Sequence, residues 1–300
     1  MKATIIGLGL IGGSMALELR RSGVATSLTG VDSNQEHADK ALELALVDKI
    51  LGLEESIKEA DLVILAIPVN AIVKMINRLL DGIKPGCVVI DTGSTKATIC
   101  SAVSTHVNRS QLVTAHPIAG TENSGPTAAH FGLFEKKTMI ICEQSRSSAH
   151  ALEVAQLVFS TLKVKTIFME PVEHDKHVAY VSHLSHVSSF LLGQTVMDIE
   201  KDERNIFALA GSGFASTVRL AKSSPDMWAP IFEQNVEYLS QALLEYIMHL
   251  QRFHYHLMKK DVKEIHRIMT EANDIRRVLS GIELNNQKNE KADSMLEVKF

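Results

Sequence analysis

The sequence has little of what would set it apart from an ordinary globular enzyme. Its three cysteines, Cys87, Cys100 and Cys142, form no CxxC pair, which argues against a disulfide framework and for reduced thiols in a cytoplasmic protein. Basic residues are not in excess: 31 Lys and Arg stand against 35 Asp and Glu, for a formal net charge of -4. That balance gives no electrostatic reason to expect nucleic acid or an anionic membrane as a partner. No apolar run reaches the roughly 20 residues of a membrane-spanning helix. The stretch from Met1 to Leu17 superficially resembles a secretory leader, yet it carries Gly7, Gly9, Gly12 and Gly13 and runs into Glu18, Arg20 and Arg21 with no cleavage site. What remains is a chain of 300 residues, 45% hydrophobic and 22% charged, a length and composition suited to two soluble domains.

Short apolar, largely β-branched runs occupy 3–6, 27–31, 62–67, 88–91, 112–115, 139–142 and 166–169. Stretches with helical spacing separate them at 11–22, 34–46, 71–80 and 147–162. Strands alternating with helices predict a mostly parallel sheet covered on both faces. Beyond residue 170 the strand signal stops, and three long helices are expected at 172–199, 228–259 and 261–279. The apolar stripe of 227–258 is broader than a lone surface helix needs, which points to a subunit interface. The expected domains are 1–169, 170–283 and a polar, disordered tail at 284–300.

The sequence Gly7-Leu8-Gly9-Leu10-Ile11-Gly12 follows the first strand and opens the first helix, the context a G-x-G-x-x-G needs to bind a dinucleotide. Gly7 allows the tight turn, Gly9 lets the backbone approach the pyrophosphate, and Gly12 lets helix and strand pack closely. Leu10 and Ile11 belong to the helix N-terminus, whose free N–H groups face the phosphates. Asp32, ending the second strand, can accept hydrogen bonds from a ribose 2′-hydroxyl and would repel a 2′-phosphate. The expected fold is therefore of the Rossmann type, doubly wound, followed by an all-helical domain, and the expected cofactor is NAD rather than NADP.

Two polar clusters follow strands, Asp91-Thr92-Gly93-Ser94-Thr95-Lys96 and His116-Pro117-Ile118-Ala119-Gly120-Thr121-Glu122. Ligands of open parallel sheets sit beyond the carboxyl ends of the strands, so both clusters should face the nicotinamide. A histidine there can accept a hydrogen bond from a substrate hydroxyl as hydride leaves the carbon. A metal is not expected. His174/His177 and His183/His186 each share a helical face, but the six positions from 177 to 183 turn the pairs apart, and no matching cysteine or carboxylate set accompanies them. His249, His254, His256 and His266 read as surface helix.

Taken together, "DTGSTK" at 91–96, "HPIAGTENSGP" at 116–126, "HDKHVAYVSHLSH" at 174–186 and "GSGFASTVRLAKSSPDMW" at 211–228 resemble the prephenate dehydrogenases of tyrosine biosynthesis, in matching order over nearly the whole chain. The resemblance implies NAD-dependent oxidative decarboxylation of prephenate by a cytoplasmic homodimer. It makes His116 the catalytic acceptor for the ring hydroxyl, with Ser94 sharing that hydroxyl or orienting the histidine. Thr121 and Glu122 would line or gate the pocket, Ser182, His183 and His186 would hold the substrate, and Arg219 would bind a carboxylate through its planar fork. Two positions depart from the family pattern. Ser185 replaces a common proline, and Ser216 stands where many members have aspartate, which favours a keto acid over a substrate bearing an ammonium group. Arogenate dehydrogenase, a β-hydroxyacid dehydrogenase and a non-catalytic NAD-binding regulator are the alternatives. The helical-domain lysine motif of the β-hydroxyacid enzymes is not found, and His116, Ser94 and Arg219 together oppose the regulator. The chain starts at its first strand and stops soon after the third helix, so no mutase or sizeable regulatory domain is expected.

Overall fold

The computed structural model describes residues 1–202 and 205–281. They fall into two compact units, Met1–Leu239 and a second beginning at Ser240. The first opens with β1 (Lys2–Ile6), α1 (Leu10–Arg21), β2 (Ser27–Val31), α2 (Gln35–Glu43), β3 (Lys49–Ile50), α3 (Leu53–Lys58), β4 (Leu62–Leu65) and α4 (Val69–Gly82). It continues through β5 (Val88–Asp91), α5 (Ala97–Ala102), β6 (Leu112–Ile118), β7 (Thr138–Cys142), α6 (Ala149–Thr161) and β8 (Lys165–Met169). These strands make one eight-stranded sheet in the order β3-β2-β1-β4-β5-β6-β7-β8. Every neighbouring pair is parallel except β6 and β7, so the expected mostly parallel, doubly wound sheet is present. The order reverses between β1 and β4, and the crevice beyond their carboxyl ends is where such sheets bind ligands.

Both faces of the sheet are covered, which explains why its central strands read as unbroken apolar runs. All four residues of β4 are buried. Ile5 and Ile64 point to one core with Met15 and Leu19 of α1 and Val158 and Phe159 of α6. Ile6, Val63 and Leu65 point to the other with Ile72, Ile76, Leu79 and Leu80 of α4. Burying each such side chain contributes about 1.5–3 kcal/mol against the entropy of ordering the chain.

After β8 come α7 (Pro171–Val178), α8 (Leu184–Asp202), α9 (Ser212–Thr217), α10 (Pro225–Gln234) and α11 (Val236–Met258). Trp228 and Ile231 of α10 enter the same core as α4, so packing carries the chain beyond 169 onto the sheet. The single helix expected over 172–199 is interrupted by a π turn at Ala179–His183. The helix expected over 228–259 breaks at Asn235, whose backbone leaves helical geometry (φ -115°, ψ 29°). β6 also runs on through His116 to Ile118, where antiparallel pairing with β7 extends it past the expected 112–115.

In the second unit, α12 (Val262–Ala272) is capped by the Asp261 carboxylate, which accepts from the Glu264 N–H at 3.1 Å. Arg252 and Arg267 converge on Glu264. Leu244, Ile247, Met248, Leu250, Leu257 and Met258 of α11 are exposed in this single chain. The tail expected at 284–300 lies outside the described residues. No helix among the described residues is long and apolar enough to cross a membrane.

Candidate active site

The glycine loop has the shape a dinucleotide requires. Gly7 adopts φ +93°, and a Cβ there would meet the Ala66 carbonyl oxygen at 2.3 Å. At Gly12 a Cβ would lie 2.0 Å from the Gly7 oxygen, so the first turn of α1 can pack only with glycine. Gly9 differs: a Cβ would meet only the Gly125 nitrogen, at 4.0 Å, leaving open space above the loop. No side chain caps α1, and its first turn holds no acidic residue, so the N-terminal N–H groups at Leu10 and Ile11 stand ready for an anion. Asp32 ends β2 with Oδ2 accepting from the Leu8 N–H and Oδ1 from the Asn34 N–H, each at 2.9 Å. Its carboxylate is thereby held at the edge of the cradle with lone pairs to spare, and the residues present fit a dinucleotide.

After β5 and along β6 lies a chain of polar groups that helical spacing did not reveal. His116 Nδ1 lies 2.8 Å from His174 Nε2, and His174 Nδ1 lies 2.7 Å from Asp175 Oδ1. Asp175 also accepts from the Lys96 N–H (Oδ1) and the Ala97 N–H (Oδ2), both at 2.8 Å. Lys96 is wholly buried and sends its ammonium to Asp91 Oδ2 and to the Ala115 carbonyl. Thr95 donates to Gln234 at 2.7 Å, tying this loop to α10. The segment after β5 thus meets α7 at the Asp175 carboxylate, and β6 joins it through His116 and His174.

The protons in this chain follow from its chemistry. A carboxylate only accepts, so His174 donates from Nδ1, and its Nε2 carries a lone pair when neutral. His116 must then donate from Nδ1, which leaves its own Nε2 as an acceptor. Burial pushes the pKa of His116 well below the ordinary histidine value, helped by nearby His174, Lys96 and His183. Burial also lowers His174, outweighing the opposing pull of Asp175. Both rings are therefore neutral near pH 7.

The remaining expected residues divide into three groups. His183 is buried, pushed down to about 4 by burial, and sits edge-on to Trp228 with ring centroids 5.8 Å apart. His186 stacks on Trp228 at 3.5 Å and donates from Nδ1 to the Ser182 carbonyl at 3.0 Å. Arg219, half exposed, pairs with Glu122, whose carboxyl is held low first by its own backbone N–H and then by that guanidinium. Thr121 uses its hydroxyl to accept from the Asn123 N–H, at 3.2 Å. Ser94 is half-buried in the loop between Asp91 and Lys96, but the group that meets His116 Nδ1 is His174. Of the histidines grouped by spacing, His174 is buried and His177 exposed. The sequence reading missed His174, Asp175, Lys96 and Asn235. The adjacent His-Asp pair at 174–175 was the one signal available for the relay.

A nucleotide cradle after β1 and a neutral, oriented histidine on β6 of the same sheet are the parts of a Rossmann-type dehydrogenase. The sequence profile described as "Prephenate dehydrogenase, nucleotide-binding domain" matches residues 15–168, and "Prephenate dehydrogenase, dimerization domain" matches 170–271. The prephenate dehydrogenase of Bacillus subtilis is 32% identical over 286 residues, covering 92% of this chain and 76% of that protein. The crystal structure of Aquifex aeolicus prephenate dehydrogenase in complex with hydroxyphenyl propionate and NAD+ aligns with a TM-score of 0.83 and 29% identity, over 93% of this chain and 98% of that one. A Synechocystis arogenate dehydrogenase structure aligns at a TM-score of 0.70 and 28% identity, over 92% and 99%. The chain belongs to the prephenate dehydrogenase family, and with it to the NAD-dependent oxidoreductases.

Proposed function

We propose that this enzyme oxidatively decarboxylates prephenate to 4-hydroxyphenylpyruvate, with NAD as oxidant. The observation that carries the reading is the Asp175–His174–His116 chain, which ends in an acceptor lone pair at His116 Nε2. NAD, held by Gly7, Gly9, Leu10, Ile11, Gly12 and Asp32, supplies a hydride acceptor when bound. His116 accepts the hydrogen bond of the ring hydroxyl and draws its proton as hydride leaves the carbinol carbon. Positive character growing on His116 is stabilised through His174 by Asp175. The carbon–carboxylate bond breaks to release carbon dioxide, its electron pair completes the aromatic ring, and the proton returns to the phenol oxygen. Ser94 shares the hydroxyl, while Ser182, His183 and His186 hold the substrate.

Arg219 binds a substrate carboxylate, and Glu122 occupies that guanidinium until the substrate displaces it, with Thr121 beside it. Residues 1–169 act as the nucleotide domain and 170–283 as the substrate and dimerisation domain. The exposed apolar side chains of α11 support a homodimer. Three buried, free cysteines, each pushed up to about 12 by burial, suit a cytoplasmic enzyme. NADH formation with prephenate and with arogenate, each offered NAD and NADP, tests the reading. Turnover confined to arogenate would move the assignment to that substrate, and turnover of neither would refute it.

A further inference from the structure

Asp175 reaches a second histidine by a different route. Asn235, buried at the break between α10 and α11, places Nδ2 at 2.7 Å from the Asp175 backbone oxygen and 3.1 Å from His183 Nδ1. The atom facing the carbonyl must be the amide nitrogen, because two carbonyl oxygens cannot bond each other. That nitrogen has no lone pair to offer, so His183 Nδ1 must be the acceptor. A neutral His183 therefore carries its proton on Nε2. One residue thus sets two imidazoles in opposite senses: through its carboxylate it makes His116 Nε2 an acceptor, and through its carbonyl and Asn235 it makes His183 Nε2 a donor.

We propose that Asn235 is a positioning residue that locks His183 in the Nε2–H tautomer, so that His183 donates to an anionic oxygen of the substrate that His116 deprotonates; this rests on the prephenate reading above. Around His183, the titratable groups are Asp175 and His174 of α7 and His186 of α8, while Trp228 and Phe232 of α10 supply apolar walls. Burial keeps the ring neutral at working pH, so its tautomer, not its charge, decides whether it donates or repels.

The test begins with the folded wild-type enzyme in complex with NAD. Nitrogen-15 NMR of its histidines, assigned with His183→Gln, should show the unprotonated, pyridine-type nitrogen of His183 at Nδ1. An unprotonated Nε2 would overturn the proposal with no variant needed. Asn235→Asp offers Nδ1 an acceptor in place of a donor, and should move the proton to Nδ1. It should raise KM for prephenate on the order of 10–100-fold, the effect of losing a hydrogen bond to a charged group, while NAD affinity holds. Asn235→Ala should leave a mixture of tautomers and a smaller rise. On a His183→Gln background, Asn235→Asp should add little, because the two substitutions act through one ring. A tautomer that flips without moving KM would show that His183 does not donate to the substrate. Wild-type enzyme that turns over neither prephenate nor arogenate would retire the functional reading and the substrate half of this one. The NMR result would still decide whether Asn235 sets the tautomer.

Discussion

Replacing Asp175 with Asn changes one atom type at the point where the site is wired. Its carboxylate accepts three hydrogen bonds, from the Lys96 and Ala97 N–H groups and from His174 Nδ1, at 2.7–2.8 Å. An amide has only one oxygen. If that oxygen keeps Lys96 and His174, the new NH2 faces the Ala97 N–H and leaves a buried donor unpaired, costing about 1–3 kcal/mol. If the amide turns, its NH2 faces the Lys96 N–H and His174 Nδ1. His174 can then be satisfied only by moving its proton to Nε2, which obliges His116 Nδ1 to accept and puts the His116 proton on Nε2. The acceptor proposed for catalysis becomes a donor. Both arrangements also remove the negative charge that stabilises positive character on His116. The expected result is a kcat lower by roughly 10²–10⁴-fold, the usual range of general acid–base assistance, with KM for prephenate little changed. Steady-state kinetics, NAD titration and thermal melting together separate this from misfolding. A folded, NAD-binding Asp175→Asn enzyme with near-normal kcat would refute the relay.

Other perturbations check neighbouring parts of the argument. His116→Asn should lower kcat by a similar 10²–10⁴-fold; in the wild type the acid limb of kcat should lie below the ~6.5 of a free histidine, because burial lowers this pKa, and the variant should lose that limb. Arg219→Gln should raise KM for prephenate roughly tenfold or more, as expected for one charge-assisted hydrogen bond at a half-exposed site; an unchanged KM would assign the carboxylate to another group. Asp32 should hold kcat/KM for NAD at least about tenfold above NADP, or ~1.4 kcal/mol, and comparable values would remove it from cofactor choice. His183, lowered from 6.5 to about 4, is favoured neutral by the fold, so its contribution to stability is full above about 6.5 and is lost as pH falls towards 4. That window is worth about 3 kcal/mol, and urea unfolding of His183→Gln should show a flatter acid slope; an identical slope would contradict the assignment.

What could be read from the sequence was whatever a few consecutive residues determine. The glycine loop is such a case: Gly7, Gly9 and Gly12 each meet a local steric demand, so motif and geometry agree. The central strands were legible because both faces are buried and the composition follows. The relay was not, because it joins residues 58 apart in the chain, and no periodicity announces a contact between a strand end and a helix. Helical spacing paired His174 with His177 and His183 with His186. The fold instead buries His174 and His183, and the π turn at Ala179–His183 changes the register between them without a glycine or proline to mark it. Asn235 escaped for a related reason. An asparagine inside an apolar run looks like a tolerated polar residue until the helix is seen to break there and free its side chain.

The buried Lys96–Asp91 pair beneath the site makes sense in the same terms. Both side chains are fully enclosed, and an ion pair in that setting gains little net stability over a well-packed apolar pair of similar size. Its value lies in where its ends are fixed. The Lys96 ammonium holds the end of β5 through Asp91 and the middle of β6 through the Ala115 carbonyl, one residue before His116. The backbone N–H of the same lysine holds the Asp175 carboxylate that starts the relay. An apolar substitute could fill the volume but could not register two strands and a helix to within a hydrogen-bond length. The lysine's positive charge also opposes a proton on His116, acting in the same direction as burial. Charge is thus buried where it fixes geometry, while the imidazoles of His116 and His183 stay neutral, and their donor or acceptor sense is set by the bonds behind them.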